Sequence, residues 1–94
     1  MGSSVVRAHV VVRGRVQMVG FREFVRRRAR AASLHGTVRN APDGTVEAVL
    51  EGPELEVKRL IDLVRVGPPA ARVERVDVEY QSAAGDLPPI TVTI

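Results

Sequence analysis

The sequence predicts a two-layer α/β (α+β) sandwich, one antiparallel sheet with both helices packed on a single face. Three observations carry this. Strand-like and helix-like periodicities follow one another in the order βαββαβ, with a short fifth strand at the end. Apolar residues make up 45% and charged residues 27% of the 94 positions, a balance that gives one folded domain with core enough for two layers. Neither an internal repeat nor a linker interrupts the chain, so 1–94 reads as a single domain. Met1 to Ser4 fall outside the pattern and are expected to be disordered, without a structural role.

Ala8 to Arg13 is dense in valine and reads as a central strand buried on both faces, interrupted only by His9. From Phe21 to about Ala32, Phe21, Phe24, Val25, Ala29 and Ala32 recur at helical spacing and define one buried face. Beside it runs a row of Arg22, Arg26 and Arg30, with Arg27 and Arg28 flanking and Glu23 able to pair with Arg26 or Arg27. Gly36 suits a left-handed position that ends this helix. Gly36 to Asn40 is then a short strand, Ala41-Pro42-Asp43-Gly44 a turn, and Thr45 to Glu51 the returning strand of a hairpin. Pro53 is placed to be the first residue of a second helix, followed by Glu54 and Glu56, which favour its dipole. Val57, Leu60, Ile61 and Val64 form its buried face, and Gly67-Pro68-Pro69 stops it. Val76, Val78 and Tyr80 alternate with acidic residues in a fourth strand, and Ile90, Val92 and Ile94 alternate with threonines in the last.

The composition excludes several kinds of function. With no cysteine, disulfides, thiolate nucleophiles and cysteine-based metal sites are impossible, which fits a cytoplasmic protein. No apolar run approaches the ~20 residues of a membrane span. His9 reads as an ordinary packed or edge-facing side chain, and with only His35 as a possible mate no metal site is expected. The net charge is +3 and the pI about 10.5, with arginine supplying 13 of the 14 basic residues. Arginine matches planar oxyanions, so the charge fits anionic partners, and it equally fits a solvated basic surface.

One stretch concentrates the chemistry: Gly14-Arg15-Val16-Gln17-Met18-Val19-Gly20-Phe21-Arg22. It is a strand end, a glycine-bounded turn and a helix start with an arginine in the first turn. Backbone N–H groups, the helix dipole and a guanidinium can converge there on an anion. Taken alone, the same letters also describe a tight strand-to-helix corner. The βαββαβ order brings a second residue into play. The first two strands of a split βαβ unit run the same way, so Asn40, 18 positions after Arg22, falls at the loop's end of the sheet. An asparagine there is either a turn former or an amide able to orient a water and a substrate oxygen together.

These motifs resemble a known family. Val16-Gln17-Met18-Val19-Gly20-Phe21-Arg22 and Gly36-Thr37-Val38-Arg39-Asn40 are similar to the signature stretches of the acylphosphatases. The likeness continues through Pro42-Asp43-Gly44, Glu51-Gly52-Pro53 and Gly67 to Val73, covering the chain from about residue 8 to its end. The resemblance implies a ferredoxin-like sandwich that hydrolyses the carboxyl–phosphate anhydride of acyl phosphates. It implies that Arg22 binds the phosphoryl group and that the backbone N–H groups of Gln17, Met18, Val19, Gly20, Phe21 and Arg22 cradle it. Asn40 is expected to position the attacking water. No metal or cofactor is expected, inorganic phosphate is expected as product and inhibitor, and the protein is expected to be a monomer.

Two positions depart from the family pattern: Met18 where glycine is usual, and Thr37 where a large aromatic is common. Methionine is strained if φ is positive there. Thr37 removes either packing or a substrate-side wall. Two rival readings follow from the same residues. One is a non-catalytic phosphate- or acyl-phosphate-binding module. The other is an RNA-binding domain, for which the three aromatics Phe21, Phe24 and Tyr80 are a poor supply of stacking surface.

Overall fold

Valine density and alternation produce long strands here, and the computed structural model describes residues 4–94. The elements are β1 (Val5–Arg15), α1 (Phe21–Ala31), β2 (His35–Asn40), β3 (Val46–Pro53), α2 (Glu54–Val66), β4 (Arg72–Ser82) and β5 (Thr91–Val92). They build a single sheet in the order β4-β1-β3-β2-β5. Every neighbouring pair is antiparallel except β2 and β5, which run parallel. Because β1 and β2 both pair antiparallel with β3, they share a direction, and their C-terminal ends lie at one end of the sheet.

The helices cover one face. Phe21, Val25 and Ala29 of α1 and Val57, Leu60, Ile61 and Val64 of α2 are buried against Ala8, Val10, Val12, Val38 and Leu50. Side chains of this size contribute ~1.5–3 kcal/mol each when taken fully out of water. β1 is therefore not buried on both faces. His9 and Val11 point to the uncovered face and are only half-buried, and the run of valines conceals the alternation because valine suits either side. The strand is also longer than its valine core. It takes in Gly14, which lies at a register shift opposite Val73.

Several boundaries differ from expectation. Ser33, not Gly36, adopts the left-handed conformation that ends α1, at φ 57°. The Ser33 N–H donates to Arg30 O (3.0 Å) and the Leu34 N–H to Ala29 O (2.9 Å), the paired bonds of a Schellman ending. Gly36 lies inside β2, where a Cβ would stand 1.7 Å from the Val49 carbonyl oxygen. Pro53 precedes α2 instead of opening it, and the Glu54 N–H donates to Ser4 O at 2.8 Å, so Ser4 does have a structural role. Of the last apolar trio, Ile90 is buried, Val92 lies in β5 and Ile94 is exposed.

Candidate active site

At the end of β1 the chain dips inward at Val16, which is buried, and reaches α1 through Gln17, Met18, Val19 and Gly20. Met18 takes φ 62° with its side chain 99% exposed, so the strained conformation raised by its departure from glycine is the one adopted. Gly20 is left-handed at φ 77° and begins α1 with no side chain capping the helix. The first helical hydrogen bond runs from the Phe24 N–H to Gly20 O at 3.0 Å. The N–H groups of Gly20, Phe21, Arg22 and Glu23 precede it and have no helical acceptor. A helix start of this kind carries partial positive charge and open donors.

Asn40 ends β2. It shares the helix-side face with Val38, two residues earlier, and so points to the same side of the sheet as the start of α1. The turn that follows is held by its own hydrogen bonds. The Ala41 N–H donates to Thr45 O (2.9 Å) and the Gly44 N–H to Ala41 O (3.1 Å). Asp43 accepts the Thr45 N–H (3.1 Å) and hydroxyl (2.7 Å), and these bonds hold its carboxyl below the ordinary range.

The two segments meet. A cavity of about 200 Å³ is lined by Val16, Met18, Gly20, Phe21, Arg22, Glu23, Asn40 and Val92. Arg22 and Asn40 thus face one space, as the strand order requires. Arg22 makes no ion pair or side-chain hydrogen bond among the described residues. Its neighbour Glu23 is engaged: Arg26 Nε and Nη2 hold it at 2.8 and 2.5 Å, and Arg27 lies at 3.4 Å. The Arg26 bonds above all lower the Glu23 carboxyl to about 2. Arg26 and Arg27 therefore pair along the helix surface, and Arg28 stacks over the Phe24 ring at 5.1 Å.

Not every expected residue lines the cavity. Gln17 and Val19 do not, and Gln17 instead donates its side-chain amide to Ala41 O and Thr45 O at 2.8 and 2.9 Å. Thr37 pairs with Val49 and Thr91 on the uncovered face, away from the cavity, so its difference from an aromatic removes no wall of the site. Val92 forms a wall that sequence reasoning missed. Its position depends on β5 lying beside β2, which no local pattern announces.

Fold and cavity together define a class: a βαββαβ sandwich with a concave site at the shared ends of two like-directed strands, an unpaired arginine in the first turn of the helix that follows one and an asparagine at the end of the other. The sequence model of the acylphosphatase family matches residues 8–88. An acylphosphatase of Moorella thermoacetica is 53% identical over 88% of this chain and 89% of its own. One from Thermococcus kodakarensis is 54% identical over 85% of this chain and 88% of its own. The crystal structure of the Bacillus subtilis acylphosphatase superposes with a TM-score of 0.91 at 32% identity, covering 95% of this chain and 99% of that one. The chain belongs to the acylphosphatase family of enzymes.

Proposed function

We propose that this protein hydrolyses small acyl phosphates by direct attack of water on phosphorus, with Arg22 and the loop N–H groups holding the phosphoryl oxygens and Asn40 aiming the water. The P–O bond to the carboxylate breaks as the water oxygen bonds to phosphorus, giving carboxylate and orthophosphate. The observation that carries this reading is the convergence of Arg22 and Asn40 on one cavity, with the Arg22 guanidinium unpaired. A carboxylate leaves readily, so little general-acid help is needed. What remains is positioning and stabilisation of charge on the equatorial oxygens. A phosphoryl oxygen of the substrate takes the water's proton, which accounts for a cavity whose one acidic side chain, Glu23, is tied to Arg26. The reaction proceeds without metal or cofactor, and inorganic phosphate inhibits by occupying the same donors.

The RNA-binding reading finds little to stack on. Phe21 and Phe24 belong to α1, and Tyr80 pairs opposite Ala8 on the helix side of the sheet, so the uncovered face carries no Phe, Tyr or Trp among the described residues. No helix among them is long and apolar enough to cross a membrane.

Phosphate release from a simple aromatic acyl phosphate, with and without a chelator, tests the proposal. Activity persists in chelator. Arg22→Ala weakens phosphate inhibition and lowers kcat by about 10²–10³. Asn40→Ala lowers kcat while phosphate inhibition stays intact. If phosphate affinity fell together with kcat in Asn40→Ala, the water-positioning role would be wrong. Phosphate binding with no turnover in the unaltered protein would favour the non-catalytic binding module.

A further inference from the structure

Gln17 sits in the anion loop, yet its side chain crosses to the neighbouring hairpin. Its Nε2 donates both hydrogens, to Ala41 O at 2.8 Å and to Thr45 O at 2.9 Å, 24 and 28 positions further along the chain. Those two carbonyls form the neck of the β2–β3 turn. Thr45 O also accepts the Ala41 N–H, Ala41 O also accepts the Gly44 N–H, and Ala41 and Thr45 are both buried. The turn is rigid in its own right through Asp43. Asn40 immediately precedes this neck, and Arg22 follows the loop that Gln17 belongs to. Among the described residues, no other side-chain hydrogen bond joins 16–20 to 41–45.

We propose that Gln17 is a positioning residue: its amide sets the distance and angle between the phosphate-holding loop and Asn40. The proposal rests on the roles of Arg22 and Asn40 given above. A primary amide suits the task because one nitrogen carries two N–H donors, and two converging carbonyls offer two acceptors. In-line displacement is sensitive to alignment, and a misplacement near 1 Å can lower the rate about 100-fold. Phosphate binding has no such need, since the Arg22 guanidinium and the start of α1 remain when Gln17 is changed.

The test is a double-mutant cycle. Gln17→Met keeps the volume and removes both donors, and Gln17→Ala is the second variant should the first fold poorly. Each is made alone and with Asn40→Ala. Turnover of a simple aromatic acyl phosphate, inhibition by inorganic phosphate and thermal unfolding are measured. The single Gln17 variants remain folded and lose about 10- to 100-fold in kcat, while the phosphate inhibition constant changes by less than about threefold. Combined with Asn40→Ala, the Gln17 change costs little further, because it acts through the residue already removed. Unchanged kcat, a loss fully additive with Asn40→Ala, or phosphate affinity falling in step with kcat would each overturn the proposal. If Asn40→Ala alone leaves kcat intact, the water-positioning reading fails in that variant by itself, and the role of Gln17 falls with it.

Discussion

The Glu51 carboxylate on β3 accepts the backbone N–H of Gly85 at 2.9 Å, across 34 positions of sequence. The Ala84 N–H (3.1 Å) and Arg7 Nε (2.8 Å) reach its other oxygen, and Arg7 also pairs with Asp86. These contacts lie at the end of the sheet remote from the cavity. They pin the segment that carries the chain from β4 at one edge to β5 at the other. Glu51 thereby helps deliver Val92, a wall of the candidate active site, without being near it.

Replacing Glu51 by glutamine keeps its shape and removes its charge, so the melting temperature at pH 7 falls. The Arg7 hydrogen bond, foremost, holds the Glu51 carboxyl below its ordinary value of 4.5. The stabilisation is therefore complete above that value and is lost as the pH falls through the lowered native one. Thermal unfolding as a function of pH should show a constant gap between the two proteins down to about pH 5, narrowing at lower pH. A gap that widened on acidification would contradict the assignment.

Met18 is a test of strain separated from packing. Its side chain is 99% exposed, so changing it removes no core contact, while φ is 62°. Met18→Val places a β-branched residue in the left-handed region and costs about 1–2 kcal/mol in urea unfolding. Met18→Gly relieves the strain, offset in part by a more flexible unfolded chain, and lowers stability not at all. Turnover in Met18→Gly equals or exceeds that of the unaltered enzyme, since the backbone donors keep their directions.

Gly36→Ala is predicted to be among the most damaging single changes. The added Cβ meets the Val49 carbonyl oxygen at 1.7 Å and its carbon at 2.8 Å, inside the β2–β3 ladder. Neither atom can move without breaking the β2–β3 ladder. A loss of about 3 kcal/mol or more is expected, visible as a lower urea midpoint or absence of soluble protein.

Glu23→Gln removes the one acidic side chain on the cavity wall and frees Arg26 from it. Phosphate inhibition should tighten by about twofold at low ionic strength and show no difference at high salt, where exposed charges are screened. Titration of phosphate inhibition at two salt concentrations checks this.

Much of the site is legible in the sequence because it is local. A strand, a turn with glycine and a helix starting Phe-Arg describe a set of open donors, and the βαββαβ order alone sends Asn40 to them. The tertiary ties are not legible. Gln17 looks like any polar loop residue until the β2–β3 turn is folded against it. Glu51 looks like the end of an alternating strand until Ala84 and Gly85 arrive. Ser33 takes a left-handed position that its residue type does not advertise, which displaced the expected helix end to Gly36. The valine run hid which face of β1 is buried, because valine tolerates both environments.

The two rims of the sheet are unlike. β5 ends one with two residues, too short to guide an incoming strand. β4 ends the other with eleven residues and, among the described residues, no strand on its outer side. Along it, Arg72, Glu74, Arg75 and Glu79 are exposed with both signs interspersed. A foreign strand must set its own charges against these before its backbone can bond, so sheet growth is held off by charge and not by cover. Self-association through β4 is accordingly expected to depend on ionic strength, and to set in under conditions that leave the fold intact.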